Sequence, residues 1–214
     1  MRLSELSKQS GVTTATIKYY LREGLLPPGE RVSATQAEYD ESHLRRLRLV
    51  RALIQVGRLP VATAREVLGH VDDEALGRTI RLGAALWSLP HGPEPDEEGA
   101  PETVEARHEA DRLLDRLGWA FVKDLGSLDP VHRALVASMA TLIRLGYPCD
   151  IEYLAEQARL MEQVAVHDLD MMESYPAGAE QVEMAVASVV LYEPLLLALR
   201  RLAQEEESAR RYGL

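Results

Sequence analysis

The stretch TTATIKYYLREGLL at residues 13–26 constrains this chain more than any other. Ile17, Tyr20, Leu21 and Gly24 fall at i, i+3, i+4 and i+7, the inward stripe of a short helix. Thr14, Lys18 and Arg22 fall at i, i+4 and i+8 and line up on a separate stripe, with Tyr19 beside them. Cation, hydroxyl and aromatic groups on one face of an N-terminal helix suit a phosphate-rich groove. The expected partner is double-stranded DNA.

Charge at first argues the other way. The 214 residues carry 24 Lys+Arg against 34 Asp+Glu, a net charge of −10. The charge is segregated, however: residues 1–70 hold 11 basic and 7 acidic side chains, a balance of +4, and the remainder stands at −14. A basic head can meet phosphates that would repel an acidic body. The single cysteine, Cys149, rules out an intrachain disulfide and fits a reducing compartment. No signal peptide is recognised at the front, so a cytoplasmic location is expected. The most apolar run, residues 184–199, is interrupted by Glu193 and Pro194; it reads as a buried helix, and no membrane partner is expected.

The head shows its punctuation clearly. Gly11 supplies the turn before the second helix and Thr13 its N-cap; Gly24 and Pro27-Pro28 end it. Residues 29–39 read as a small hairpin. Asp40 caps a helix whose inward side is Leu44, Leu47, Val50 and Ile54, with Arg45, Arg48 and Arg51 kept in water. Pro60 suits the first position of the next helix, where Val61, Ala64, Val67 and Leu68 face the core. A helix over residues 73–89 follows, with Leu76, Ile80, Gly83 and Trp87 on one stripe. Two readings stand for it, a subunit contact or packing on the chain's own C-terminal half.

PHGPEPDEEGAPE at residues 90–102 reads as a linker. Helical periodicity then continues: a helix over 103–126, a second from Asp129-Pro130 with Val131, Leu135, Met139 and Leu142 inward, and a third capped by Asp150 with Leu154, Met161 and Met172 inward. A last long helix is kinked or broken at Pro194. The expected fold class is all-α with a small β wing. It comprises a winged helix-turn-helix at 1–71, a connecting helix at 72–89, the linker at 90–102 and a helical bundle at 103–214.

Thr16-Ile17-Lys18-Tyr19-Tyr20 followed by Gly24-Leu25-Leu26 resembles the second helix of the MerR family of bacterial transcription regulators. Tyr39-Asp40 is similar to the end of that family's wing motif, and Leu47, Val50 and Gly57 follow its third helix and turn. The resemblance covers residues 1–71. It implies a winged helix-turn-helix homodimer joined through a helix after the head, bound to a promoter palindrome in a long spacer. There it would distort the DNA for RNA polymerase in response to an effector. By position, Thr13, Thr14, Thr16 and Lys18 would lie at the major groove, and Tyr19, Arg22 and Tyr39 would touch phosphates. Lys18 stands where the family more often has arginine. Thr35-Gln36-Ala37 replaces a glycine-tyrosine-arginine unit in the wing, and Arg31 is the expected substitute.

One cysteine cannot build the thiolate cluster of a soft-metal sensor, so no metal is expected; no cofactor and no catalytic constellation are recognised. The expected effector is organic, hydrophobic or cationic, in a cavity lined by Trp119, Phe121, Tyr147, Tyr153, Met161, Met171, Met172 and Tyr192. Glu193 is the expected buried counter-charge for a cation. The alternative is a C-terminal module that binds a protein partner and no small molecule.

Overall fold

The computed structural model describes residues 1–33, 36–95, 99–176 and 178–213. Thr35 of the wing and residues 96–98 of the expected linker lie outside the described residues. The chain divides into two compact units, one of residues 1–88 with 172–214 and one of residues 89–171.

The first unit opens with α1 (Leu3–Ser10) and α2 (Thr14–Arg22), joined at Gly11 in the left-handed conformation, φ 66°. A hairpin follows, β1 (Glu30–Arg31) antiparallel to β2 (Ala37–Glu38), in the register Glu30 to Glu38 and Arg31 to Ala37. Asp40 caps α3 (Glu41–Arg51): its carboxylate accepts from the Ser42 and His43 backbone amides and from the Ser42 hydroxyl. Then come α4 (Val61–Asp72), α5 (Arg78–Trp87) and, from the far end of the chain, α10 (Ala179–Tyr212). Leu6, Ile17, Leu25, Leu26, Leu47, Val50, Val67 and Leu68 form the buried centre of the head. Each such side chain stabilises the fold by about 1.5–3 kcal/mol relative to exposure.

A π-helical turn, Ala52–Val56, interrupts the end of α3. The wider turn changes the register, so Leu53 is buried where simple periodicity pointed to Ile54, which is only half-buried. The arginines of α3 also depart from a solvated face. Arg46 is buried, Arg45 pairs with Glu180 at 3.0 Å, and the Arg51 guanidinium donates to the Ser10 carbonyl at 3.0 Å. The helix expected over 73–89 is the shorter α5. It turns Arg81 and Ala85 inward, and leaves Ile80 and Trp87 of the expected stripe exposed.

The 103–214 domain of the sequence reading is divided in the structure. Its last helix, α10, buries Gln181, Val182, Ala185, Val186 and Val190 in the first unit. Polar ties hold it there: Arg45 to Glu180 and, at 3.9 Å, to Glu183, Arg46 to Glu183 at 3.8 Å, and Arg78 Nη1 donating to Gln181 Oε1 at 3.0 Å. Gly57 explains the closeness of the packing, since a Cβ built there would stand 2.8 Å from the Val190 methyl and 2.9 Å from the Leu53 carbonyl. Of the two readings at Pro194, a break is not seen, since α10 is continuous through it; and the run at 184–199 is buried only in its first part, because Val189, Leu191, Tyr192, Leu195, Leu197 and Leu199 are exposed. By length and composition this helix is apolar enough to cross a membrane.

The second unit holds α6 (Pro101–Leu117), α7 (Ala120–Leu125), α8 (Pro130–Arg144) and all but the last two residues of α9 (Ile151–Glu173). Ala106 and Ala110 of α6 meet Val136, Met139 and Ala140 of α8, with Leu135, Ile143, Cys149, Ile151 and Leu154 packed around them. The helix expected over 103–126 ends early, because Gly118 adopts φ 71° and starts a turn. Part of the expected linker is docked rather than free: Leu89 is buried, and Glu94 accepts from Arg133 Nε at 3.0 Å and Nη2 at 3.3 Å. Val131 and Met161 are exposed, against their inward assignment; Met139 and Met172 are buried as expected.

Candidate nucleic-acid interface

The DNA-facing residues expected on α2 gather on one surface of the head. Thr13 is the N-cap: its hydroxyl accepts from the Thr16 backbone amide at 3.2 Å and lies 2.8 Å from the Thr16 hydroxyl. Thr13, Thr14 and Lys18 are exposed and Thr16 is half-buried, while Ile17 and Tyr20 turn into the core. The helix N-terminus and its hydroxyls thus point outward together, a set of donors suited to base edges or phosphate. Arg22 stacks over the Tyr19 ring at 5.3 Å and stays mostly exposed, which holds its guanidinium beside the ring.

Two arginines outside the expected set position this helix. Arg65 of α4 donates to the Glu23 carbonyl at 2.7 Å and to the Glu23 carboxylate at 3.1 Å, closing the C-terminal end of α2. Arg51 does the same for the Ser10 carbonyl at the end of α1. Both belong to later helices, so no local spacing in the first thirty residues signals them. Lys18, by contrast, has no ion pair among the described residues.

The wing is present, and Arg31 on β1 is exposed. Tyr39 departs from its expected role as a surface phosphate contact: it is only 7% exposed. Its ring packs edge-on against His43, its amide donates to the Met1 carbonyl at 2.8 Å, and its carbonyl accepts from the Met1 nitrogen at 2.6 Å. These contacts make it the base of the wing. Gly29 is required beside it, since a Cβ there would meet the Glu38 carbonyl at 2.5 Å. Between α2 and the wing lies a cleft of about 330 Å³, lined by Leu21, Pro28, Arg31, Gln36 and Tyr39 among others. Glu30 and Glu38 stand opposite each other in the wing ladder, a like-charge pair that weakens the local attraction for phosphate.

The residues expected to line an effector cavity are divided between the two units, and several are exposed. Phe121 is 77% exposed, Tyr147, Tyr153 and Met161 are exposed, Trp119 is half-buried and Met172 is buried. Met171 belongs to the second unit, while Met172, Tyr192 and Glu193 belong to the first. Glu193 is exposed on α10, so water solvates its carboxylate and no buried counter-charge is needed. Tyr147 instead lines an open cleft of about 400 Å³ with Glu105, Glu109, Ile143, Gly146, Pro148 and Cys149. Burial, with Glu109 and Glu105 nearby, pushes the Cys149 thiol above its ordinary value. Among the described residues no cluster of three or more His, Cys, Asp or Glu side chains is arranged to hold a metal ion.

Comparison with known proteins agrees with this surface. Residues 1–70 match the model of the MerR HTH family of regulatory proteins. A stretch of 50 residues is 42% identical to a ZntR homolog, an HTH-type transcriptional regulator of Haemophilus influenzae, and 57 residues are 33% identical to the regulator AdhR of Bacillus subtilis. These stretches cover 23% and 27% of this chain, and only 37% and 41% of those relatives' own length. Over the whole chain the fold is similar to the crystal structure of SCO5550 from Streptomyces coelicolor A3(2), a provisionally assigned transcriptional regulator. The TM-score is 0.85 at 64% identity, with 100% of this chain and 99% of that one covered. With that head, that fold and that exposed helix, the chain belongs to the MerR family of DNA-binding transcription regulators.

Proposed function

We propose that the protein binds a promoter palindrome as a homodimer, with α2 of each copy in the major groove. Thr13, Thr14, Thr16 and Lys18 read or abut base edges, Arg22 and Tyr19 grip phosphates, and Arg31 brings the wing to the backbone. The observation that carries this reading is the single exposed face of α2, with Arg65 tied to its C-terminal end and Arg51 to the end of α1 before it. A palindrome in a long promoter spacer, distorted so that RNA polymerase engages both promoter elements, follows from the family's mode of action. The protein acts in the cytoplasm, and the reading includes no catalytic step.

For the effector, we propose an organic cation taken by the cleft of Glu105, Glu109 and Tyr147, where two carboxylates and an aromatic ring offer complementary charge. This replaces Glu193 as the counter-charge. The second reading, a protein partner for the helical half, is favoured by the exposure of the apolar Phe121, Leu128 and Val131.

The test is gel retardation and footprinting on the promoter upstream of the protein's own gene. Lys18→Ala is expected to weaken binding to all sequences and to reduce the slope of log affinity against log salt by about 1. An unchanged slope and affinity over several salt concentrations overturns the docking of α2.

A further inference from the structure

We propose that Ala15 selects a thymine in the operator, by contact of its methyl group with the C5 methyl of the base in the major groove. This rests on the docking of α2 proposed above and names one base feature that the helix reads. Ala15 starts a stripe that Lys18, Tyr19 and Arg22 continue at i+3, i+4 and i+7, so the four side chains share one face of α2. Ala15 is exposed, and of the four it stands nearest the N-terminus of the helix. In a recognition helix laid in the major groove, the N-terminal residues come closest to the base edges.

The polar groups around Ala15 are committed to other tasks. The Thr13 hydroxyl accepts from the Thr16 amide at 3.2 Å and lies 2.8 Å from the Thr16 hydroxyl, so one of the two hydroxyl hydrogens is spent between them. Arg22 lies over the Tyr19 ring at 5.3 Å, at the far end of the stripe, where a phosphate rather than a base suits it. Lys18 brings a compact ammonium, a point charge with no fixed fork of donors. At the leading end of the stripe stands a methyl group. It neither donates nor accepts a hydrogen bond, so it gains nothing from the ring nitrogens, carbonyls or amino groups of the bases. The one alkyl group that an unmodified base pair presents in the major groove is the thymine methyl. A longer side chain at this position would hold the first turn of α2 off the bases, and the single methyl lets it close on them.

Gel retardation tests this on two copies of the promoter fragment upstream of the protein's own gene. One is synthesised with thymidine and the other with deoxyuridine at every thymidine position. Uracil pairs as thymine does and lacks only the methyl. The parent chain is expected to prefer the thymidine fragment by about 4-fold per half-site, about 15-fold over a palindrome, the effect of burying one methyl against another. Ala15→Gly, with helical content checked by circular dichroism, is expected to lose this preference. The glycine's effect on the helix itself falls on both fragments and cancels in the ratio. Lys18→Ala is expected to weaken binding to both fragments and keep the parent's ratio. A parent that binds both fragments equally overturns the readout by Ala15 and leaves the docking of α2 standing. An Ala15→Gly chain that keeps the parent's ratio does the same. A parent that retards neither fragment overturns the docking, and this contact with it.

Discussion

Single side chains decide whether the head is a rigid platform. Asp40 holds the start of α3 through Ser42 first and His43 second, and these bonds pull its carboxyl well below the ordinary carboxylate range. Because the folded value is depressed, its stabilisation is complete above pH 4 or so and is lost as pH falls toward the folded value. Asp40→Ala is expected to cost about 1 kcal/mol at neutral pH. It should also flatten the acid limb of a thermal melt followed by circular dichroism, and identical limbs in parent and variant would exclude the cap. Cys149 makes the opposite kind of statement. Its raised thiol value leaves less thiolate at neutral pH, so it should react with a disulfide reagent more slowly than free cysteine, and faster labelling would contradict its packing.

At the scale of elements, the link between α3 and α10 matters most. Arg46 is buried between Asp72 of α4 and Glu183 of α10, and burial raises the Glu183 carboxyl despite Arg46 and Arg45 beside it. Removing the cation strands a half-buried carboxylate. Arg46→Ala is expected to lower stability by about 3 kcal/mol in a urea titration, whereas Arg48→Ala on the exposed side should stay within about 0.5 kcal/mol. Equal effects would show that the buried network contributes nothing. The helices of both units are legible from their caps and stripes: Thr13 and Asp40 in the head, and Asp129 and Asp150 in the second unit, all accept hydrogen bonds from backbone amides in the first turns of the helices they start. What escaped was non-local. The π turn after Arg51, the burial of Arg46 and the ties from Arg65 to Glu23 depend on partners 26 to 42 residues away or on a register change that periodicity cannot encode. The burial of Tyr39 is non-local in the same way: its neighbours are Met1, 38 residues earlier, and the His43 ring.

At the scale of the molecule, a sequence boundary and a folding boundary differ. The proline-rich run at 90–102 marked the right neighbourhood, since the first unit pauses at Ser88. Composition carried no sign that residues 172–214 return to the head, because the valines of α10 that do so are apolar in the same way as those that stay exposed. A fragment ending at residue 88 lacks Val182, Val186 and Val190. It is expected to melt well below the full chain and to expose the surface around Gly57. Equal melting temperatures for fragment and full chain would mean that α10 is an appendage.

Because α10 completes the core beneath the reading head, the ribosome must deliver residue 190 before that core can close. A transcript cut short, or a product clipped after the second unit, then yields no well-folded competitor for the promoter.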